Sequence, residues 1–550
     1  MKEKASDQKL RGGYYTPTPI ADFLCEWAIQ TNNDTILEPS CGDGVILESA
    51  AKTLIKLQCK KVNTSGLLNG IELNGEEAIK AKDRLYKLGL YDVDKNIHTG
   101  DFFEYYEKIL TYNNKFDVIV GNPPFIRYQD CKKEQMDIAF RITRSVGLEL
   151  NKLTNIWVPF LVSASLLLKE NGRLAMVIPA ELFQVGYAAQ IRRFLSDFYK
   201  KITVITFKKL VFPDIQQEVI LLLAEKNATT EGISILEIED IDMLNTYKKN
   251  NFFGIELKPI EHTGEKWTQY FLKSDEIELL HSLKQSRKLT NSRDAIDVDV
   301  GVVTGNNDFF IVKSGDIQNE KSYTTRMVTR SAHLNGLVFT EEDWNGMAER
   351  LLPSRLLSLN DTNDYDQYPQ EIKELIKLGQ KHGVNEGYKC RIRKKWYIVP
   401  SVWIPEAFML RQVHAFPKIV FNEARASCTD TIHRVRFKKN IDGRVICGAF
   451  VNSLTFAFSE ITGRSYGGGV LTFEPSEAEN IPIPLMGAEK LDLEKLDYLF
   501  RQEGIYAVLD YTDDILLKDG LGLSKGEIVK IRGIWEKLRD RRIYRKNNKK

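Results

Sequence analysis

From Thr35 to Ala224, short apolar runs alternate with stretches whose apolar residues recur every three to four positions. Thr35–Glu38, Leu67–Leu73, Asn96–Asp101, Phe116–Val120 and Arg173–Pro179 read as strands. Val45–Leu57, Glu76–Leu88, Ile156–Leu168 and Ala188–Phe198 read as helices, the third ended by Asn171-Gly172. Strands separated by helical segments predict βαβ units and a mostly parallel sheet. Ile202–Phe207 and Glu218–Ala224 follow one another without a crossover helix. They are expected to pair as an antiparallel hairpin at the sheet edge.

The rhythm stops near Glu225, and residues 226–265 are polar and mixed. The expected organisation is an α/β, Rossmann-like domain over 1–240 and a linking region over 241–265. A second, mixed α+β domain with short strands and many Gly, Asn and aromatic residues follows over 266–484. Residues 485–550 return to helical spacing and end in a basic tail.

Composition narrows the class. The chain has 550 residues, 43% hydrophobic and 28% charged, which excludes general disorder. Its seven cysteines are scattered without a CxxC pair, and its seven histidines lack an HxxxH pair, so no metal site is expected. No apolar stretch is long enough for a membrane helix, and the N-terminus lacks a signal core; a cytoplasmic protein is expected. Net charge is only +2, but residues 521–550 carry eleven Lys/Arg against three Asp/Glu. Such a tail suits a polyanion or is a solvated terminus.

Three strand ends carry candidate chemistry. In ILEPSCGDGVIL (36–47), a glycine turn joins the first strand to a helix, where open α/β sheets bind ligands. Its spacing is not GxGxxG, which disfavours a dinucleotide. Glu72 ends the second strand and can accept from both hydroxyls of a ribose. Asp101, followed by Phe102 and Phe103, can accept from an adenine amino group beside a stacking ring. Together they point to an adenosine-containing ligand.

The fourth strand runs into Asn122-Pro123-Pro124-Phe125. Two prolines fix two φ angles and remove two N–H donors. The Asn122 amide oxygen and the Pro123 carbonyl remain as acceptors for both hydrogens of an exocyclic amino group, with Phe125 as a flat face. Accepting both hydrogens draws the nitrogen lone pair out of ring conjugation and makes it nucleophilic.

With these motifs in order, the chain resembles the class I S-adenosylmethionine-dependent DNA amino-methyltransferases of gamma order, the TaqI-like adenine-N6 type. GGYYTPTPIADFLCEWA (12–28) resembles their N-terminal motif, LEPSCGDG the first cofactor motif, GIELN (70–74) the second, GDFF (100–103) the third and GNPPF the catalytic motif. Phe125 stands where many relatives have Tyr. LVFPDIQQEVILLLAEK (210–226) resembles the segment with a second aromatic, here Phe212.

The resemblance implies that S-adenosyl-L-methionine is bound by Tyr15, Thr16, Pro17, Glu38, Pro39, Cys41, Gly42, Glu72, Leu73, Asp101, Phe102 and Asn122. It implies catalysis by Asn122, Pro123, Pro124 and Phe125, on an adenine flipped out of double-stranded DNA and held between Phe125 and Phe212. Residues 266–484 would then be a target-recognition domain, with Asn306, Asn307, Arg391, Arg393, Lys394, Lys395, Arg425 and Arg464 as DNA-binding candidates. A monomer is expected, and a separate restriction endonuclease is a candidate partner. The alternatives are a cytosine-N4 methyltransferase, a protein or RNA amino-methyltransferase, and a specificity subunit without catalysis. The intact GNPPF segment speaks against the last.

Overall fold

The computed structural model describes residues 15–58, 65–111, 115–151, 154–209, 211, 218–249, 255–466 and 468–544. The chain divides into two compact units, 1–274 and 275–549.

The first unit opens with α1 (Thr18–Ala28), β1 (Ile36–Glu38), α2 (Val45–Leu57), β2 (Leu68–Glu72), α3 (Gly75–Lys87), β3 (Ile97–Thr99), α4 (Phe102–Thr111) and β4 (Phe116–Gly121). It continues with α5 (Lys133–Arg144), α6 (Trp157–Leu166), β5 (Leu168–Pro179), α7 (Ala189–Phe198), β6 (Lys201–Phe207), β7 (Val219–Glu225) and β8 (Gly232–Ile238). The strands form one eight-stranded sheet in the order β3-β2-β1-β4-β5-β7-β6-β8. β1 lies parallel to both β2 and β4, with Ile36 opposite Leu68 and Val118. The central strands are apolar on both faces because helices cover both, as parallel sheets require. The order reverses beside β1, so the loops after β1 and β4 share the carboxyl edge where a ligand crevice forms.

The parallel sheet expected from the sequence is present, with two differences. β6 and β7 do pair antiparallel, but they are not the edge, because β8 pairs with β6 beyond them. The polar reading of 226–265 hid this strand. Ile233 and Ile238 are buried there, and the buried Ser234 hydroxyl meets that of Thr203 at 3.0 Å, satisfying both. The second difference is at Asn171-Gly172, which lies inside β5 rather than in a turn. The register against β4 shifts between Phe116 and Val118 and absorbs the extra residues.

Residues 255–274 belong to the first unit. The buried guanidinium of Arg192 donates to the carbonyls of Gly264 and Glu265, and Lys258 Nζ donates to Tyr270 O at 2.7 Å.

The second unit has short strands in several small sheets. The largest orders Ile296–Val300, Ile432–Phe437, Ala407–Leu410, Ile419–Asn422 and Val338–Phe339. A second orders Ile311–Lys313, Pro353–Leu357, Thr324–Val328 and Ser427–Cys428. A helix over Lys525–Tyr544 packs on the helix Ser453–Thr462. Among the described residues, no single helix is long and apolar enough to cross a membrane.

That terminal helix changes the reading of the basic tail. Arg532 is paired with Asp510 and Asp513, Lys537 with Glu276, and the buried Arg542 with Glu460 at 2.7 Å. Lys530 pairs with Asp275. These cations hold the fold and are not a free phosphate-binding tail; residues 545–550 lie outside the described residues.

Candidate active site

Three loops meet at the carboxyl edge of the sheet. After β1, Gly42 and Gly44 take left-handed conformations, with φ of +52° and +84°. A β-carbon on Gly44 would sit 2.7 Å from Ala81, so glycine lets α2 lie against α3. A β-carbon on Gly42 would meet nothing within 4 Å and would instead fill the open cradle of the loop. Arg84 clamps the cradle from α3, donating to Asp43 at 2.6 Å and Glu48 at 2.8 Å.

Glu72 sits at the end of β2 with both carboxylate oxygens held by backbone. Gly42 N donates to Oε2 and Asn74 N to Oε1, each at 2.8 Å. Each oxygen keeps a further lone pair for a ligand hydroxyl. Burial pushes the Glu72 carboxyl above its ordinary range, opposed by those backbone donors. Asn74 caps α3, accepting from Glu76 N and Glu77 N, and so fixes the backbone that holds Glu72. The sequence reading passed over Asn74, although Asn followed by Gly-Glu-Glu is a helix-start signal. Beside it, Leu73, Asn74, Gly75, Glu76, Ile79 and Thr99 line a shallow groove, with Leu73 62% and Ile79 60% exposed.

Glu38 is the most buried acid of the site. It is buried, and its Oε2 has no hydrogen-bond partner among the described residues. Burial raises its carboxyl well above the ordinary range, and Asp43 and Glu72 push it the same way. A buried oxygen of this kind is stabilised by a cationic donor. Pro39 and Cys41 continue the loop, Cys41 buried with its N–H donating to Ile71 O at 2.9 Å.

Asp101 precedes α4 and accepts from Phe103 N at 2.9 Å and Glu104 N at 3.1 Å, serving as its cap. Burial raises its carboxyl as well. Phe102 is buried and packs on Phe160 at 5.1 Å between ring centroids, so its ring lies in the core and not on a binding surface.

Asn122 follows the last residue of β4. Its Nδ2 donates to Thr16 Oγ1 at 3.2 Å, and its backbone carbonyl accepts from Ser40 Oγ at 3.4 Å. The N-terminal segment, the cradle and the Asn-Pro-Pro-Phe loop thus meet at one residue. Pro123 is buried, Pro124 and Phe125 are half-buried, and Phe125 packs against the main core. Ile156 N donates to Ile126 O at 2.9 Å, tying the end of the loop to the start of α6. Pro17 caps α1, and Tyr15 donates to Glu77 at 2.9 Å. Phe212 lies outside the described residues.

The DNA-binding candidates of the second unit divide into two groups. Asn307, Arg391, Lys394 and Arg425 are exposed, Asn307 with its Oδ1 already accepting from Thr304 Oγ1 at 2.5 Å. The other four are engaged within the unit. Asn306 caps a short helix through Phe309 N, and Lys395 donates to the carbonyls of Asp361 and Asn363. Arg393 donates to Val303 O at 3.1 Å and Thr304 O at 2.7 Å, and Arg464 to Glu477 at 2.8 Å.

Residues 264–517 match the family model of the C-terminal domain of the type II methyltransferase M.Eco57I. The type II methyltransferase M.AccI of Acinetobacter calcoaceticus is 23% identical over 504 residues, covering 84% of this chain and 83% of its own. M.BstVI of Geobacillus stearothermophilus is 25% identical over 414 residues, 67% of this chain and 72% of its own. The fold is also that of the type IIL restriction-modification enzyme MmeI, solved in complex with DNA. The TM-score is 0.56 at 14% identity, over 95% of this chain and 75% of that one. Residues 1–291, more than half of the sequence, match the N-6 DNA methylase model, and the chain belongs to that family.

Proposed function

We propose that this chain methylates the N6 amino group of an adenine in a specific sequence of double-stranded DNA, using S-adenosyl-L-methionine, as a gamma-order, TaqI-like enzyme. The observation that carries the reading is the junction at Asn122, where an Asn-Pro-Pro-Phe turn adjoins a glycine cradle with the buried Glu38 and the half-buried Glu72.

The residues fit the cofactor. Glu72 offers spare acceptor positions to ribose hydroxyls, the groove at Leu73 and Ile79 offers an apolar face to an adenine ring, and Glu38 Oε2 suits the ammonium of a methionine moiety. Asp101 is assigned to the adenine amino group, in addition to its capping of α4. When bound, S-adenosylmethionine supplies an electrophilic methyl group on a sulfonium. Asn122 Oδ1 and the Pro123 carbonyl accept the two hydrogens of the target amino group and localise its lone pair. The nitrogen becomes acidic once alkylated and releases its proton to solvent, so no strong base is needed beforehand. A base within a duplex is out of reach of such an edge, so it must be flipped out, and Phe125 provides a stacking face worth about 1–3 kcal/mol.

The second unit is assigned to target recognition, with the exposed Arg391, Lys394 and Arg425, and the amide nitrogen of Asn307, as its contacts. Loss of a base-reading contact is expected to relax specificity at one position, at about 1–3 kcal/mol. Loss of a phosphate contact is expected to weaken all sequences alike and lower the salt slope by about one. Methylation assays at several salt concentrations with randomised duplexes separate the two. We also propose a cytoplasmic monomer working beside a separate endonuclease.

Glu72→Ala is expected to weaken cofactor binding by about 10- to 150-fold, the equivalent of ~1.5–3 kcal/mol for a charged hydrogen-bonding group. Titration calorimetry checks this, and unchanged affinity removes Glu72 from the site. The pH dependence has a fixed sign. The ionised carboxyl is the acceptor, so affinity falls as pH drops through the raised pKa of Glu72, and Glu72→Gln flattens that limb.

The reaction itself is tested by incubating the purified chain with cofactor and duplex DNA and weighing the nucleosides after digestion. N6-methyladenine is expected. N4-methylcytosine, or methylation of RNA or protein alone, overturns the reading.

A further inference from the structure

We infer that the Thr16 hydroxyl is a positioning group for Asn122, holding the donor end of its amide so that the acceptor end faces the target amino group. This rests on the reading of Asn122 given above. The terminal torsion of an asparagine is broad, so an untethered amide samples many orientations. Its two ends have nearly the same shape and opposite hydrogen-bonding character. Only the oxygen end can accept from an amino group; the nitrogen end would oppose donor to donor. With Asn122 Nδ2 donating to Thr16 Oγ1 at 3.2 Å, one orientation satisfies both ends once an amino group arrives.

Thr16 is well placed to impose that orientation. It lies 106 residues from Asn122 in sequence, so the contact is set by the fold. Thr16 is only 7% exposed and precedes Pro17, which restricts its backbone to extended conformations. The Pro17 carbonyl accepts from Ile20 N at 2.9 Å and Ala21 N at 3.1 Å, seating Thr16 directly on the first turn of α1. That helix buries Ile20, Ala21, Phe23, Leu24, Cys25 and Ala28 and is pinned to α2 by Ser49 Oγ donating to Asp22 at 2.7 Å. Ser40 holds the Asn122 backbone carbonyl from the opposite motif. The backbone and the amide are thus restrained separately, as a geometry-limited reaction requires.

The test is a single-turnover methylation assay at saturating S-adenosylmethionine, with calorimetric cofactor binding alongside. Thr16→Val keeps the shape and removes the hydroxyl; Thr16→Ala, which adds no bulk, takes its place should the valine not fold. Either is expected to slow the rate by about 10²-fold even at full cofactor occupancy, whatever the change in affinity, whereas Thr16→Ser retains most of the rate. In an Asn122→Ala background the Thr16 change is expected to add no further loss. A full saturated rate overturns the inference, and so does an independent loss on top of Asn122→Ala. Weakened cofactor binding with the saturated rate intact would make Thr16 a cofactor contact alone. Failure of the underlying reading is seen separately, as a near-normal rate in Asn122→Ala by itself.

Discussion

Asn122→Ala is expected to slow methyl transfer in a single turnover by about 10²–10³-fold, the scale for removing one preorganised group that stabilises charge in a transition state. The loss should fall on kcat and kcat/KM alike, because the amide acts on the amino group as its lone pair localises. Little else should change. Asn122 is only half-buried, and its loop is held by bonds that the substitution leaves in place: Ile156 N to Ile126 O, and Ser40 Oγ to the Asn122 carbonyl. DNA affinity should therefore stay near that of the parent chain, and the rate loss should persist at saturating cofactor. Rapid-quench assays with labelled methyl donor measure the rate directly, and a near-normal rate would remove Asn122 from the chemistry.

The second large effect lies far from the site. Trp535→Ala is expected to destabilise the second unit by about 3–5 kcal/mol, the usual loss for a fully buried tryptophan. Trp535 is completely buried on the terminal helix, 5.1 Å from the Phe456 ring and 6.0 Å from Tyr506 by centroid, with the Arg539 guanidinium 4.5 Å over its face. Truncation at Leu521 would remove this residue together with the buried Ile531, Ile534 and Arg542. It would report on folding, not on phosphate affinity. Deleting only residues 545–550 is the informative change for DNA binding, expected to lower affinity at moderate salt and leave the methylated motif unchanged. Denaturant unfolding separates the two variants: the midpoint drops at constant slope for Trp535→Ala and stays put for the short deletion.

The candidate site's strand-end groups were legible in the sequence because the residues of each motif are consecutive. Glu38 to Gly44, Glu72 and Asn122 to Phe125 each sit at a strand end, where a turn signal and a functional group coincide. What joins them was not legible. No local pattern says that Thr16 touches Asn122 or that Ser40 reaches its carbonyl, because such contacts depend on how α1 and β1 pack. Phe102 shows the opposite error: an aromatic beside a binding acid reads as a stacking ring, yet α4 turns it into the core against Phe160. β8 was hidden because its buried serine looks polar until Thr203 is found opposite. The same holds for charge. Arg393 and Lys395, in the basic run 391–397, and Arg464, in a glycine-rich segment, read as DNA contacts, but they donate to carbonyls and Glu477 of the same unit. A run of cations shows net charge without showing which of them are already paired.

The central claim is that Asn122 directs methylation of adenine N6 at one DNA sequence. It is tested most directly by mapping methylated bases in the genome of a methylation-free host expressing either the intact chain or its Asn122→Ala variant. The intact chain should mark one adenine within one recurring motif, and the variant should leave that motif unmarked. Equal marking by the variant, or marking of cytosine, would contradict the account.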